Sequence, residues 1–465
     1  MLLDRWPRNH YNGFGRLCDP HAQNGAYMAR QFLVAATLLC LCVSACHSQP
    51  ASPTITRMGN GLTVILLEDH ATELVGVDVW VKAGSGNENA SSNGVSHFIE
   101  HMVFGATQKR QPGDMDLEME SVGAVLNAHT SRDWAHFDTT VSSRYMSKAL
   151  DVLADALSNA QFRENDLQRE RMVLLEEVRK QQIDPIEVCK AAIAARVFGS
   201  HPYGLPVQGT PDTIRAITRQ QVLDYYHTYY VPRNTAVVLV GDIEPQRALT
   251  EIGRAFQGYS NVPAPEPVPS EIKPIAAQVN ERIESQFKQT YTTVGFLGPP
   301  GSDAADVCAT DVLLAYMGFG YRSWMDDQLG GKMRIADATS ADFLTQKQRG
   351  MITMFAATTD ANLDKVKGAI FAKIAAIRTE GIPEGGLAVA KRSLLGQYAF
   401  QNETVGGVAN SLGFYFAVSE PGFAVKYVSC VQAVTNQDIV RVAHKYLDPG
   451  QAVVLVFAPK QGGAQ

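Results

Sequence analysis

Two hydrophobic patterns run along the chain. Short runs of β-branched and aromatic residues predict strands over residues 62–67 and 74–81, flanking the turn-like Glu68-Asp69-His70. Longer stretches with apolar residues every three or four positions predict helices over 149–160 and 164–182; in the first, Leu150, Leu153, Ala154 and Leu157 fall on one stripe. Further on, 291–296 and 351–357 read as strands, and 363–378 and 386–400 as helices. Strands and helices do not alternate regularly enough for a parallel βα array. The expected class is α+β, with mixed or antiparallel sheets backed by helices.

The pattern repeats. Thr218, His227 and Tyr229 recur as Thr435, His444 and Tyr446, an offset of 217, and each set is followed by a proline (Pro232, Pro449) and then Ala-Val-Val-Leu-Val at 236–240 and 452–456. Each copy reads as a Thr-capped helix, a Pro turn and a buried strand. A duplication follows, and with it two tandem homologous domains. Between them the stiff Pro-rich segment that begins at Val262 and ends on Val268-Pro269 reads as a linker. The expected boundaries are a leader over 1–45, a first domain over 46–261, a linker over 262–271 and a second domain over 272–465.

With 465 residues, 45% of them hydrophobic, the chain is long enough for two cores. Its formal net charge of -6, with no long basic run, excludes the electrostatic footprint of a nucleic-acid binder. The strongly apolar stretch 32–45 is too short to span a bilayer and follows Met28-Ala29-Arg30, as in a secretory signal with Met28 as the start. The run ends Val43-Ser44-Ala45-Cys46. This resembles the lipobox of bacterial lipoproteins, where an acylated Cys46 would anchor the protein to a membrane; plain cleavage at the small-residue site is the alternative. Export, to a periplasm, is the expectation. Of the seven cysteines, Cys189, Cys308 and Cys430 remain after the leader. They lack metal-site spacing and read as small buried hydrophobes.

The chemistry is concentrated in His97-Phe98-Ile99-Glu100-His101. On a helix, His97 and His101 at i and i+4 share a face, so both imidazoles can reach one Zn²⁺. Glu100 then stands beside the open coordination position, where it can take a proton from a metal-activated water.

Flanking residues extend the pattern: Ala83-Gly84-Ser85, Phe104-Gly105-Ala106-Thr107, Asn127-Ala128-His129-Thr130-Ser131, His201-Pro202-Tyr203-Gly204, and Tyr229-Tyr230-Val231-Pro232-Arg233-Asn234 leading to Val240-Gly241-Asp242. With them the chain resembles the insulinase and pitrilysin superfamily of inverted-zincin metallopeptidases, in its two-domain, processing-peptidase-like branch. The resemblance implies a third zinc ligand on a later helix, which the register places at Glu177 rather than Glu176. It also implies that Glu170, two turns earlier, supports the site by bonding a ligand imidazole; the alternative is a solvated helix residue. Asn127 and Ala128 then lie on the edge strand that pairs with the substrate backbone. His129 and His136 lack an i,i+4 partner and read as structural or substrate-lining.

The chain departs from that family in its second half. The resemblance calls for an Arg and, seven residues on, a Tyr that contact substrate near the metal, and the register puts Gly330 and Asp337 there. Arg334 is out of register as a substitute. Shifting His97 and His101 by 217 gives Leu314 and Gly318, so the second domain has no metal motif. The expectation is a zinc metallopeptidase cleaving peptides or unfolded polypeptides, working as a heterodimer with a related chain that supplies the missing pair. The alternative is a non-catalytic scaffold subunit of the same fold.

Overall fold

The computed structural model describes residues 52–259, 263, 271–318 and 323–460. The leader, Cys46, and all of the Pro-rich segment except Pro263 and Glu271 lie outside the described residues.

The first-half strands are β1 (Thr54–Arg57), β2 (Thr63–Glu68), β3 (Leu74–Val81), β4 (Asn127–Thr130), β5 (Ala135–Ser142) and β6 (Thr235–Gly241). The second-half strands are β7 (Val279–Ser285), β8 (Thr290–Pro300), β9 (Ala338–Leu344), β10 (Arg349–Thr358) and β11 (Val453–Pro459). The first sheet has the order β1-β2-β6-β3-β5-β4 and the second β7-β11-β8-β10-β9. Apart from β1 the two orders are the same. In both, the pair at one side is parallel (β2 with β6, β7 with β11) and the remaining pairs are antiparallel. The duplication seen in sequence is therefore a duplication of topology, and the class is α+β with two domains, each a mixed sheet with helices.

The helices of the first half are α1 (Val95–Met102), α2 (Asp114–Glu120), α3 (Met146–Asn159), α4 (Glu164–Ile183), α5 (Pro185–Phe198), α6 (Pro211–Ala216), α7 (Arg219–Tyr229) and α8 (Pro245–Ala255). Those of the second are α9 (Ala304–Met317), α10 (Leu363–Glu380), α11 (Glu384–Gln401), α12 (Val405–Val418), α13 (Phe423–Ala433) and α14 (Asn436–Tyr446). The repeated helix starts alike in both: Thr218 accepts from the Gln221 amide and Thr435 from the Asp438 amide, each in a reciprocal capping box.

Each half lends one helix to the other half's sheet. Helix α5 packs Ile193 and Val197 into a core with Leu297, Val453, Leu455 and Phe457 of the second sheet. Helix α12 packs Ala409 and Leu412 into a core with Trp80, Val238 and Val240 of the first. Two glycines permit these approaches: a Cβ on Gly295 would stand 2.6 Å from Ile193 Cγ1, and one on Gly413 would stand 2.0 Å from Trp80 Nε1. The other face of the first sheet is covered by α1, α3 and α8 through Val77, Val79, Phe98, Leu150 and Ile252. That face carries the chemistry.

One expectation is corrected. Cys308 on α9 and Cys430 on α13 form a disulfide with Cα atoms 6.2 Å apart, while Cys189 stays a free buried thiol. The separation of 122 residues hid the pairing, because sequence spacing reports proximity only within one element. Closing so long a loop restricts the unfolded chain strongly. Cys308→Ser/Cys430→Ser is expected to lose about 2–4 kcal/mol in guanidinium unfolding, and reductant should shift the native chain by the same amount. An unchanged midpoint in both would mean that the link does not form.

Candidate metal centre

Helix α1 starts at Gly94, whose φ of +100° is left-handed and whose Cβ would stand 3.1 Å from Gly209 Cα, so only glycine suits both the turn and the close chain crossing. From there the helix runs buried against the first sheet. Its i,i+4 spacing brings the His97 and His101 rings edge-to-face, 4.8 Å between centroids.

Helix α4 supplies the third group. Its Leu167, Leu174 and Val178 are buried and fix its rotation. Glu177 Oε2 then lies 3.6 Å from His97 Nε2 and 3.5 Å from His101 Nε2. These distances are too long for hydrogen bonds, but ligands about 2.1 Å from a tetrahedral zinc stand roughly 3.4 Å from one another. The two imidazoles and the carboxylate therefore fit zinc as a donor set. They are the one group of three such side chains among the described residues with ligand atoms all within 4.8 Å of one another. Glu176 points elsewhere, bonded to Arg179 at 2.8 Å.

The surroundings set the charges. Burial and the neighbouring His101 push His97 down to about 4, against the pull of Glu177. Burial also opposes the His101 cation, but the carboxylates of Glu177, Glu100 and Glu170 together hold it above its ordinary value. The Glu177 carboxyl is lowered by its contact with His101, against its own burial. A divalent cation requires both imidazoles neutral beside the ionised carboxylate, so its binding would displace the proton that the surrounding carboxylates favour on His101. Glu170 Oε2 stands 3.5 Å from His101 Nδ1, so the His101 imidazole has a second carboxylate on the side away from Glu177. His97 Nδ1 is buried without a hydrogen-bond partner among the described residues.

Glu100 lies between His97 and His101 in sequence and faces Thr130 at the end of β4. Burial pushes its carboxyl up to about 7, with nearby Thr130 and His101 pulling the other way. A carboxylate in that range is matched to proton transfer at neutral pH.

Strand β4 is the outermost of its sheet, paired to β5 on one side only. Its period of two places Ala128 against the α1 core, while Asn127 is exposed and donates to Asp138 Oδ2 at 3.1 Å. His136 is buried beneath Trp80, its Nε2 2.9 Å from Asp78 Oδ2, and burial lowers it to about 4. His129 lies opposite it in the ladder and does not belong to the cluster of His97, His101 and Glu177. Sequence reasoning passed over Glu88, a buried carboxylate nine positions before His97; no local pattern signals a group that reaches a helix end from outside it.

The second half has no room for such a centre at the repeated position. Leu314 is buried in α9, and a Cβ on Gly318 would stand 2.4 Å from the Ala341 amide nitrogen. Gly330 lies in a π-helical turn over Asp326–Lys332, and Asp337 accepts a hydrogen bond from Gln289. Neither position offers a cation or a phenol.

Comparisons with known proteins agree with this arrangement. Residues 63–211 match the family described as insulinase (peptidase family M16), and residues 216–394 match the peptidase M16 inactive domain. An uncharacterized zinc protease of Rickettsia felis is 25% identical over 394 residues, 84% of this chain and 94% of that one. A probable mitochondrial-processing peptidase subunit beta of Arabidopsis thaliana is 25% identical over 422 residues, 88% and 78% of the two chains. Among solved structures, a protease from Helicobacter pylori superposes with a TM-score of 0.83 at 22% identity, covering 88% of this chain and all of that one. Two sheets of one order, a His-His-Glu cluster on the first and successive matches to both domains make one case: the chain belongs to the insulinase family of peptidases, peptidase family M16.

Proposed function

We propose that this chain is a zinc metallopeptidase that hydrolyses extended peptides and unfolded polypeptides. The observation that carries the reading is the convergence of His97, His101 and Glu177 at zinc-ligand separations, with Glu100 beside them. The names of the relatives, zinc protease among them, point the same way.

His97, His101 and Glu177 would hold the ion. When bound, zinc supplies the Lewis acidity that lowers the pKa of a water and polarises the scissile carbonyl. Glu100 takes the proton of the attacking water on its carboxylate and passes it to the leaving amine. Strand β4, which carries Asn127 and Ala128, is paired on one side only, so an extended peptide adds as a further strand along its free edge and is held through its main chain. Glu170 holds the His101 ring in orientation.

Partner and location belong to the same proposal. Gly330 and Asp337 leave the transition state without an Arg and Tyr from this chain, so a related chain that lacks HxxEH and carries the pair completes the site. A disulfide in the second half fits an oxidising compartment, and with the apolar leader it supports export to the periplasm, with Cys46 as the point of lipid attachment.

The test is one assay with two arms. Purified chain is expected to hold one zinc, to lose cleavage of an unfolded peptide pool on chelation and to regain it with stoichiometric zinc. Adding the related chain should raise the rate by about 10²–10³-fold, the worth of a missing electrostatic clamp. Cleavage that survives complete zinc removal sinks the enzyme reading. A full rate without any partner sinks the heterodimer.

A further inference from the structure

The helix that carries both histidines has no side-chain cap of its own: its first residue outside the helix is Gly94. An eight-residue helix leaves its first amides unpaired unless something reaches in, and a buried end without partners is costly. The group that reaches in is Glu88, from the loop after β3. Its Oε1 accepts from the Ser96 amide at 2.7 Å and the Ser96 hydroxyl at 2.5 Å; its Oε2 accepts from the Gly94 amide at 2.8 Å and Asn93 Nδ2 at 3.0 Å. The carboxylate is buried and all four partners are donors. Asn93 Nδ2 also donates to the Pro206 carbonyl at 2.9 Å, and Ser96 Oγ lies 3.0 Å from the Tyr225 hydroxyl, which donates to Gly84 O at 2.8 Å. One carboxylate thus ties the helix start to β3's exit loop, to the segment before α6 and to α7.

We propose that Glu88 is a positioning residue for the metal centre: its carboxylate fixes the start and rotation of α1 immediately before His97, and so holds His97 and His101 aimed at Glu177. The proposal rests on the zinc reading above, and extends it to a residue with no contact to the metal ligands' side chains. Three physical features support a role beyond filling space. A negative charge at a helix N-terminus is favoured by the helix dipole, and bonds to an ionised acceptor are stronger than neutral ones. The bonds grip Gly94 and Ser96, on either side of Val95 at the head of the first turn, so the constraint is rotational as well as axial. And Ser96 is the neighbour of His97, so any shift passes directly into a ligand.

Glu88→Gln is the informative change, because it keeps the shape and reverses one half of the hydrogen bonding. The Gln oxygen can still accept from Ser96, but its NH₂ faces the Gly94 N–H and the Asn93 NH₂, donor against donor. The experiment is zinc competition against a chromophoric chelator on the full chain, alongside thermal unfolding of the zinc-free form. A comparison variant, Asp306→Asn, loosens a second-half network in which Asp306 accepts from Arg441, Lys445 and Tyr446. Zinc binding by Glu88→Gln is expected to be about 10–100-fold weaker than native, with Asp306→Asn unchanged at a comparable loss of thermal stability. Binding within twofold of native in a folded Glu88→Gln overturns the proposal, as does weakening that only tracks thermal loss in both variants. If Glu88→Gln does not fold, Ser96→Ala decides: about two- to tenfold weaker zinc supports the proposal and unchanged zinc overturns it. Native protein that holds no stoichiometric zinc overturns the metal reading itself, and this inference with it. Native zinc with an indifferent Glu88→Gln overturns this inference alone.

Discussion

Glu100→Gln is expected to lower peptide cleavage by about 10²–10⁴-fold while zinc content stays at the native level. The substitution is nearly isosteric, and Glu100 lies outside the His97, His101 and Glu177 donor set, so neither packing nor metal binding should change. What it removes is a basic oxygen at a partly buried position whose acid is held near 7, where one carboxylate can both accept a proton from water and release it to an amine. Gln can do neither. The diagnostic is the split between readouts: zinc by metal analysis and unfolding by circular dichroism should match native, while turnover falls and KM moves little. Residual turnover above a tenth of native would transfer the base role to another group and leave Glu100 as packing.

The fold was legible wherever one pattern governs one element. Strand β3 coincides with the predicted 74–81, and helices α3, α4, α10 and α11 fall within a few residues of their predicted stretches, because local sequence pattern is enough to mark such elements. The repeat of Thr218 and Thr435 was readable as caps and is seen as caps. What was not legible is non-local. Nothing in the sequence says that α5 covers the second sheet and α12 the first, since both are apolar enough to pack on either, and only the close approaches at Gly295 and Gly413 reveal the exchange. The same holds for Cys308 and Cys430.

The site divides along the same line. His97, Glu100 and His101 share a single turn pair, so their spacing alone defines their geometry. Glu170 was named only through family resemblance, with a solvated helix residue as the alternative; the structure puts it 3.5 Å from His101 Nδ1. Glu88 was invisible for a physical reason: a carboxylate that caps a helix from an outside loop has no fixed offset from the residues it serves.

Glu177→Ala should cost on the order of a hundredfold or more in zinc affinity, and Glu176→Ala nothing measurable. Zinc in a four-ligand protein site is held by about 10–16 kcal/mol, roughly 3 kcal/mol for each ligand, and a factor of about 10² follows for the loss of one. Two imidazoles alone, one of them buried and held neutral, do not compensate. Glu176 sits one residue away, but a helix turns about 100° per residue, so its carboxylate faces solvent and Arg179 instead. An exposed pair of that kind is screened by water and salt. The comparison is sharp because the two variants remove the same group from adjacent positions of one helix, with the same effect on net charge and nearly the same effect on helix propensity. Chelator competition on both, together with Glu177→Gln to keep the volume, reads the difference directly. Equal zinc affinities for the two alanine variants would remove Glu177 from the metal, and a loss in Glu176→Ala alone would rotate α4 by one position.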